Sequence, residues 1–413
     1  MERTEKPILT ERVDVLDGIR AVAVLIVVWY HVWQQSWLMP IFTTPSLARF
    51  GITVINLDNI PRTGYLFVDM MMLLSAFCLF LPHARAMQGL GPVPETRLFY
   101  RKRLARIVPS YVLSVLVIFF AWCLPNGVYA SAGAAIRDLA ASLTFTQTLS
   151  SSTYIGTQIN GVLWTAAIEM QFYLVFPLLA RAFRKKPALT YVLMVAASEL
   201  YLQYLARMLP DTLRLTLNQL IGFLGVYANG FLGAWILVRV SRATSRRAYV
   251  SIPCTVLFVA CLYAITRFQQ GAATAKVVQV FQAEYRFLLS LVFLAAVLSL
   301  ALSVRALRWL FANPVAKFLA AISYNLYIWH QWLAVRLKEW HIPAWTGDTP
   351  PNQAGNRTWM WQYTIVVFLA AIFVATLVTY AVEKPAAGLI LHGPRHKAKQ
   401  TDTLSVHKGE ETK

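Results

Sequence analysis

Two ionisable residues, Arg20 and His31, lie eleven positions apart in the first long apolar stretch of the chain. An ionisable side chain inside a membrane span is costly, so it marks a functional site by default. On an α-helix, eleven residues return to nearly the same face, with a rise of roughly 16 Å. One helix face would then carry a fixed cation near its cytosolic end and a titratable base about half a bilayer further out. This layout suits the passage of an anionic, activated group from the cytosol to a base within the membrane.

Each of these two residues also has a structural interpretation. Arg20 can extend its aliphatic stem and hold its guanidinium at the cytosolic interface. His31 can form a hydrogen bond between helices without taking part in chemistry. Because histidine titrates near neutral pH, it can also take a proton and return it within one reaction cycle. Its position in the middle of the span favours catalysis or proton handling for His31.

A second candidate group follows Trp164 in the fourth apolar stretch, where Glu169 and Tyr173 are four residues apart and share a helix face. If this span runs from outside to inside, Glu169 lies at a depth similar to that of His31. A carboxylate at that depth should be paired. It would orient the imidazole and stabilise the imidazolium, as the acid of a catalytic triad does. The structural alternative is a bridge from Glu169 to an arginine or a tyrosine.

Four cations lie within six residues immediately before the third apolar stretch, among them Arg101, Arg103 and Arg106. Arg103 and Arg106 share a helix face because they are three residues apart. The forked guanidinium of arginine matches a phosphate group with two hydrogen bonds. The cluster therefore predicts a dock for a phosphate-bearing cytosolic ligand. Topogenic charge and binding of anionic lipid headgroups are the alternatives.

Two further spans carry polar residues. Asp69, near the outer end of the second span, is expected to be hydrated, to pair with a cationic residue of the first span, or to line the substrate mouth. In the ninth span, Ser323, Tyr327 and His330 fall on roughly one helix face. This second mid-membrane histidine either binds a sugar together with its aromatic neighbours or packs against other helices.

The elements that must position these residues are membrane-spanning helices. Hydrophobic residues make up 57% of the 413-residue chain and charged residues only 14%, with a mean hydropathy of +0.52. A soluble globular chain carries about 25% charged residues. Apolar runs of bilayer-spanning length are predicted at 16–36, 64–82, 107–124, 163–180, 188–206, 215–238, 249–267, 286–304, 318–335 and 359–381. The expected fold is all-α, a polytopic membrane domain of about ten transmembrane helices over 1–392, followed by a polar, disordered cytosolic tail at 393–413.

The net charge of +19 is compatible with nucleic-acid binding, but its placement argues against it. With the N-terminus in the cytosol and ten alternating spans, the cytosolic segments hold 27 Lys and Arg residues and the external segments 11. This asymmetry follows the positive-inside rule and places both termini in the cytosol. It predicts a lipid bilayer, and no nucleic acid, as partner. The four cysteines lie in or beside apolar spans without metal-ligand spacing, so no metal is expected.

Together these motifs resemble the acyltransferase-3 family of integral membrane acyltransferases, over nearly the whole chain from Leu16 to Pro385. The signatures of that family occur here in order: Arg20 and His31 separated by ten residues, the arginine-rich segment Arg101–Pro109, Trp164 followed by Glu169-Met-Gln-Phe-Tyr173, Ile322–His330, and Glu383-Lys-Pro385. One such signature alone is weak. Five in order, over a ten-span hydropathy profile, are specific.

The resemblance implies an acyl-CoA donor, most often acetyl-CoA, and a hydroxyl acceptor on a cell-surface polysaccharide or a lipid-linked sugar. Arg20 would steady the donor within the membrane. That membrane is expected to be the cell (inner or plasma) membrane. His31 would deprotonate the acceptor hydroxyl or carry the acyl group itself, and Glu169 would hold the imidazole. The residues expected to bind the donor phosphates are Arg101, Arg103 and Arg106, and those expected to contact substrate or support the site are Asp69, Trp164, Tyr173, Ser323, Tyr327 and His330.

The alternative function is a proton-coupled transporter, because membrane-buried Arg20, His31 and Glu169 would also suit a permease. Transporters often contain inverted repeats and helices broken by Gly or Pro at matching positions. Neither feature is clear in this sequence. The pair Arg103 and Arg106 has an obvious role with a CoA donor and none specific to a permease. The sequence therefore favours a membrane O-acyltransferase.

Overall fold

The computed structural model describes residues 8–243 and 248–393, with side chains described at 14–241 and 249–393. Ten helices of spanning length occur in this part of the chain. They are α1 Ile8–Ser36, α2 Phe67–Met87, α3 Thr96–Ile118, α4 Trp164–Lys185, α5 Pro187–Met208, α6 Leu224–Ala243, α7 Ala248–Thr274, α8 Val278–Leu302, α9 Pro314–Glu339 and α10 Arg357–Val378. Each predicted span overlaps one of them. The tail predicted at 393–413 lies, apart from Gly393, outside the described residues.

Nine segments of the described chain are helical, long and apolar enough to cross a membrane. The helix α9 is not among them, although its 26 residues give it sufficient length. Polar side chains in its middle, including Ser323, Asn325 and His330, lower its hydropathy. The prediction of an all-α polytopic membrane protein is confirmed. The helix α9 is stabilised in the bundle by packing against other helices, since its hydropathy is lower than that of the other long helices.

Shorter elements join the long helices. Short α-helices lie at Asn59–Arg62, Ala132–Leu143, Ser151–Tyr154, Leu213–Thr216, Arg305–Ala312 and Lys384–His392. Turns of 3₁₀-helix lie at Pro45–Phe50, Gly64–Leu66, Gln147–Leu149, Gly161–Leu163, Pro210–Thr212 and Leu220–Phe223, and π-helical turns at Phe119–Cys123 and Thr379–Glu383. Between α1 and α2, strands β1 Ile41–Thr43 and β2 Val54–Asn56 form an antiparallel ribbon in which Phe42 lies opposite Ile55.

The start of α9 is determined locally. Pro314 occupies the first turn, where its missing N–H and its fixed φ cost nothing. The side chain of Asn313 accepts a hydrogen bond of 2.9 Å from the backbone N–H of Ala316. Such a cap satisfies a donor that the first turn of a helix otherwise leaves free. These short-range signals set where α9 begins, and with it the position of His330 along the helix.

The first helix contacts several other long helices of the bundle. It packs against α2, α8, α9 and α10, and against the short helix Arg305–Ala312. Its valines Val24, Val27 and Val28 are at most 1% exposed, whereas Val22 is 39% exposed, so one side of α1 is buried against protein. The polar side chains of α1 therefore lie among other helices, and α9 is a principal neighbour.

The long helices α6 and α2 approach each other closely at Gly230. A Cβ added at Gly230 would lie 2.5 Å from the backbone oxygen of Leu73 and 2.7 Å from Cβ of Ala76. Neither of these atoms is the free end of a flexible side chain. Glycine is thus required at this contact because the two backbones leave no room for a methyl group.

We predict that Gly230→Ala destabilises the protein by about 1–3 kcal/mol, the usual cost of overpacking a well-packed contact. The matched control is Gly388→Ala, since a Cβ there meets no atom within 4 Å. The measurement is the midpoint of thermal unfolding in detergent for both variants. Equal midpoints for the two variants would contradict the close packing of α6 on α2.

Candidate active site

One cavity of the described structure lies among α1, α2, α3, α4 and α9 and has a volume of about 230 Å³. Its charged lining residues are Asp17, Arg20, Arg103, Arg106 and Glu169, and polar side chains are added by Ser75, Cys78, Tyr173, Ser323, Tyr324 and Tyr327. We refer to it as the arginine cavity. Three guanidinium groups and two carboxylates share this space, so its electrostatics are dominated by positive charge.

Arg20 forms only weak contacts with the protein. One terminal nitrogen donates to Sγ of Cys78 at 3.4 Å, and the other lies 3.9 Å from a carboxylate oxygen of Asp17. The second distance exceeds that of a hydrogen bond. A guanidinium has five N–H donors, so Arg20 retains donors that can point into the cavity.

The arginine cluster of α3 contributes two side chains to the same cavity. Arg103 and Arg106 are partly buried and line it one helical turn apart. Within the described structure, the buried Nε of Arg103 has no hydrogen-bond partner. Like charges repel strongly in a partly desolvated space, and an anion placed between the guanidiniums relieves that repulsion. The cavity therefore suits a phosphate or another anionic group.

Glu169 belongs to the arginine cavity and not to the surroundings of His31. It accepts a hydrogen bond of 3.3 Å from the hydroxyl of Tyr173, which also lines this cavity. Its carboxylate offsets part of the positive charge of the guanidiniums. The structure therefore brings together Arg20, Glu169 and Tyr173, as the Glu–Tyr alternative anticipated, and does not bring Glu169 to the imidazole.

Arg101 is not brought into the cavity. Its side chain is exposed, and it donates hydrogen bonds of 3.0 and 3.1 Å to the backbone oxygens of Ile390 and Leu391. These carbonyls end the short helix Lys384–His392, where a cation is favourable. The geometry assigns Arg101 to holding this helix against α3, which separates it from Arg103 and Arg106.

The second cavity, with a volume of about 470 Å³, lies toward the other end of α1. Aromatic side chains lining it are Tyr30, Trp33, Trp37, Tyr65, Trp164 and Tyr327, and amide side chains are Asn218, Gln269, Gln279 and Gln282. His31, Arg62, Asp69 and Arg286 complete its polar lining. We refer to it as the histidine cavity. Flat aromatic faces with interspersed hydrogen-bonding groups are typical of sites for polar organic ligands.

His31 contacts His330 across the packing of α1 on α9. Nδ1 of His31 lies 3.0 Å from Nε2 of His330, and the ring centroids are 4.9 Å apart. His330 is fully buried, whereas His31 is partly exposed to the histidine cavity. The partner at the imidazole is thus a second histidine from the ninth span, in place of the expected carboxylate.

Tyr327 joins the two cavities, since its side chain lines both of them. Ser323, one turn earlier on α9, lines the arginine cavity and donates a hydrogen bond of 2.8 Å to the backbone oxygen of Ala320. At the start of α4, Trp164 lines the histidine cavity and Thr165 the arginine cavity. The middle of α9 and the beginning of α4 therefore form the boundary between the two spaces.

Asp69 pairs with Arg286, a residue that the sequence analysis did not single out. Nε of Arg286 lies 3.3 Å from Oδ2 of Asp69. Both residues are buried, with Arg286 3% and Asp69 8% exposed. Arg286 also donates to the backbone oxygen of Leu217 at 2.7 Å and to the amide oxygen of Asn218 at 3.0 Å. Asp69 therefore has a cationic partner, as one alternative anticipated, but the cation comes from α8 and not from the first span. Asp69 also lines the histidine cavity.

The signal for Arg286 was present in the sequence but was obscured by a helix boundary. The predicted span began at residue 286, which placed this arginine at the membrane surface among the loop charges. The helix begins at Val278, so Arg286 lies two turns inside it. A correct boundary would have shown a lone arginine in an apolar helix, which marks a buried partner or a functional site.

A family model described as an acyltransferase domain matches residues 13–383, nearly the whole chain. The chain therefore belongs to the acyltransferase-3 family, and it is a multi-pass membrane acyltransferase. This membership favours acyl transfer over transport as the use of the buried charges. Neither the curated proteins nor the solved structures include a significant match to the chain.

The two cavities differ in the ligands that they can hold. The arginine cavity offers guanidinium donors that suit the anionic groups of a co-substrate. Among the described residues, no group of three or more His, Cys, Asp or Glu side chains is arranged to hold a metal ion. The chemistry that these residues can support directly is proton transfer at a histidine beside an anion-binding space.

The buried pair yields a prediction about stability. Arg286→Met should cost about 3–5 kcal/mol, because it leaves the Asp69 carboxylate buried without its cation. The double variant Asp69→Leu/Arg286→Met should recover most of this loss, since both charges are removed together. Unfolding in detergent, by heat or denaturant, measures both.

The matched control for this prediction is the partly exposed pair of Asp14 and Lys317, whose closest atoms are 2.8 Å apart. Asp14→Asn should cost less than about 1 kcal/mol, as is usual for a solvated ion pair. An Arg286→Met variant as stable as Asp14→Asn would contradict the assignment of Asp69 and Arg286 as a buried, mutually dependent pair.

Proposed function

We propose that the protein transfers an acyl group, most simply acetyl, from acyl-CoA to a hydroxyl of a cell-surface polysaccharide or a lipid-linked sugar. The observation that carries this proposal is the pair of cavities that meet at Tyr327. One offers Arg20, Arg103 and Arg106 to an anion, and the other exposes His31. A donor entering from one side and an acceptor from the other would meet near the boundary.

The arginine cavity supports the donor side of the proposal. Its volume of about 230 Å³ is below the roughly 300–1,000 Å³ of pockets that enclose a drug-sized ligand. The nucleotide of CoA would therefore remain at the mouth, with its phosphates near Arg103 and Arg106. The thin pantetheine arm would extend past Arg20 toward His31, a separation along α1 of roughly 16 Å.

The histidine cavity supports the acceptor side. Trp37 and Trp164 offer aromatic surface on which the C–H surface of a sugar ring can stack. The amides of Asn218 and Gln282 can donate to and accept from sugar hydroxyls. Sugars combine these two kinds of surface, so the lining suits them better than it suits a purely apolar acceptor.

In the reaction that we propose, Nε2 of His31 takes the proton of the acceptor hydroxyl. The hydroxyl oxygen attacks the thioester carbonyl carbon, the new C–O bond forms, and the C–S bond breaks. The CoA thiolate leaves and receives the proton that His31 took up. Alternatively, Nε2 of His31 attacks the thioester carbonyl carbon, the C–S bond breaks, and the CoA thiolate leaves. The acceptor oxygen then attacks the acyl carbon, the C–N bond to Nε2 breaks, and the hydroxyl proton passes by way of the freed imidazole to the thiolate. Arg20 would steady the donor in both routes.

We further propose that both termini lie in the cytosol and that the membrane is the cell (inner or plasma) membrane. The excess of Lys and Arg in the segments assigned to the cytosol supports this orientation. The arginine cavity, formed with the part of α1 around Arg20, would then open toward the cytosolic pool of acyl-CoA. The histidine cavity would open toward the acceptor on the opposite side.

We predict that His31→Ala lowers acyl transfer by about 10²–10⁴-fold, the usual contribution of a general base. The assay follows release of CoA thiol from acetyl-CoA by purified protein in nanodiscs, with and without a crude surface-glycan extract. His83→Ala is the matched control, because His83 is a buried histidine of α2 that lines neither cavity. Normal transfer by folded His31→Ala would remove His31 from the mechanism.

The same assay separates the two routes. Thiol release that needs both His31 and the glycan extract supports direct attack by the acceptor. A stoichiometric burst that needs His31 but not the extract supports an acyl-histidine. Thiol release that is independent of His31 in both conditions contradicts the role proposed for His31.

We predict that Arg103→Ala combined with Arg106→Ala raises the KM for acetyl-CoA by about tenfold or more. Each lost hydrogen bond to a charged group is worth about 1.5–3 kcal/mol. The KM for the glycan extract should change less. The matched control is Arg101→Ala, because its guanidinium binds backbone oxygens outside the cavity. An increase confined to the acceptor KM would refute the donor assignment, and an equal increase in Arg101→Ala would extend the donor site to that residue.

A further inference from the structure

His330 has one ring nitrogen whose protonation is determined by its backbone contacts. Nδ1 lies 2.7 Å from the backbone oxygen of Tyr327 and 3.2 Å from that of Leu326. A carbonyl oxygen only accepts hydrogen bonds, so Nδ1 must carry the hydrogen. In the neutral ring, Nε2 then has a lone pair and can only accept. The nitrogen that His330 presents to α1 is therefore a hydrogen-bond acceptor.

The same reasoning applies independently to His31. Its Nδ1 lies 3.1 Å from the backbone oxygen of Val27, so this nitrogen also carries a hydrogen. That hydrogen is shared with Nε2 of His330, which lies 3.0 Å away. Nε2 of His330 can accept it because the hydrogen of that ring is on Nδ1. The two assignments agree, although they rest on different carbonyl groups. They leave the lone pair of His31 on Nε2, in a ring that lines the histidine cavity.

We infer that His330 is the positioning residue of the reaction, which holds His31 in the tautomer whose Nε2 is free to take the acceptor proton. This inference rests on the proposed function. It assigns to a neutral histidine the task that an aspartate performs in the catalytic triad, where the wrong tautomer abolishes most activity. His330 itself lies fully buried and acts through His31.

A neutral partner changes the character of the base. Glu169 lines the arginine cavity, and Asp69 lines the histidine cavity but is paired with Arg286. The described hydrogen bonds of His31 go to Val27 and His330, neither of which is anionic. An imidazolium formed at His31 is therefore stabilised by a hydrogen bond and not by an ion pair. Its proton is correspondingly easy to return to the CoA thiolate.

A pair of matched substitutions separates positioning from simple packing. His330→Gln can place a side-chain oxygen near the position of Nε2 and keeps an acceptor for His31, but loses the ring donor to Tyr327. His330→Asn keeps a donor near the position of Nδ1 but is too short to reach His31. If His330 positions His31, the Gln variant should retain more activity than the Asn variant. If it only satisfies its own backbone contacts, the order should be reversed.

The direct measurement is the tautomer of His31 by ¹⁵N NMR, with ¹⁵N-labelled histidine in detergent-solubilised protein. The chain has seven histidines, and His31→Gln identifies the resonances of His31. We expect wild type and His330→Gln to show a protonated Nδ1 and a free Nε2. We expect His330→Asn to show a mixture of tautomers. A protonated Nε2 in wild type, or an unchanged tautomer in His330→Asn, would overturn the inference.

Kinetics complete the test. In His330→Asn we expect kcat to fall by about 10²-fold, the lower end of what a general base contributes, with the KM for acetyl-CoA within about twofold. This loss is smaller than the roughly 10⁴-fold effect of a base held wholly in the wrong tautomer, because a mixture of tautomers keeps part of the population competent. His330→Gln should recover at least tenfold of this loss, and His83→Leu should match wild type. A loss confined to KM would contradict a positioning role. If His31→Ala proves fully active while the tautomer shift is observed, the role proposed for His31 in the reaction fails and the structural coupling of the two rings stands.

Discussion

The constraint on which the structure depends is the cost of an uncompensated charge inside a membrane bundle. The ionisable groups near the two cavities avoid this cost in different ways. Asp69 and Arg286 neutralise each other in a buried ion pair between α2 and α8. Glu169 offsets part of the positive charge of the arginine cavity, which leaves a net attraction for an anion. His31 and His330 form a hydrogen-bonded pair that can be neutral. The site therefore combines a permanently charged space with a space whose charge can change during a reaction.

Helix packing decides which of these groups meet. Because α1 is one continuous helix, its residues reach both cavities. The packing of α9 on α1 brings a second histidine to the first. Across the arginine cavity, α3 and α4 contribute two guanidiniums and a carboxylate to the space that Arg20 lines. A polar helix such as α9 is stable in this position because its polar middle faces protein.

Separation of the two cavities has an electrostatic consequence. An imidazolium beside three guanidinium groups would be disfavoured by Coulomb repulsion, which falls with distance and with the effective dielectric constant. The roughly 16 Å along α1 between Arg20 and His31 weakens that repulsion. In the reaction that we propose, donor phosphates and the reacting hydroxyl would have opposite electrostatic requirements, and binding them at different ends of one helix would satisfy both. Tyr327 lies where the two environments meet.

Local features of the sequence determined the helices, since apolar runs of bilayer length and short-range caps do not require distant partners. They also determined the face shared by Arg20 and His31, because that spacing is a property of a single helix. The partners of these groups were decided only by tertiary structure. Hydropathy does not state which helices touch, so the sequence assigned Glu169 to His31, whereas packing brings His330 there. It also misplaced Arg286 at a surface, because the end of an apolar run is poorly defined where a buried ion pair extends the helix.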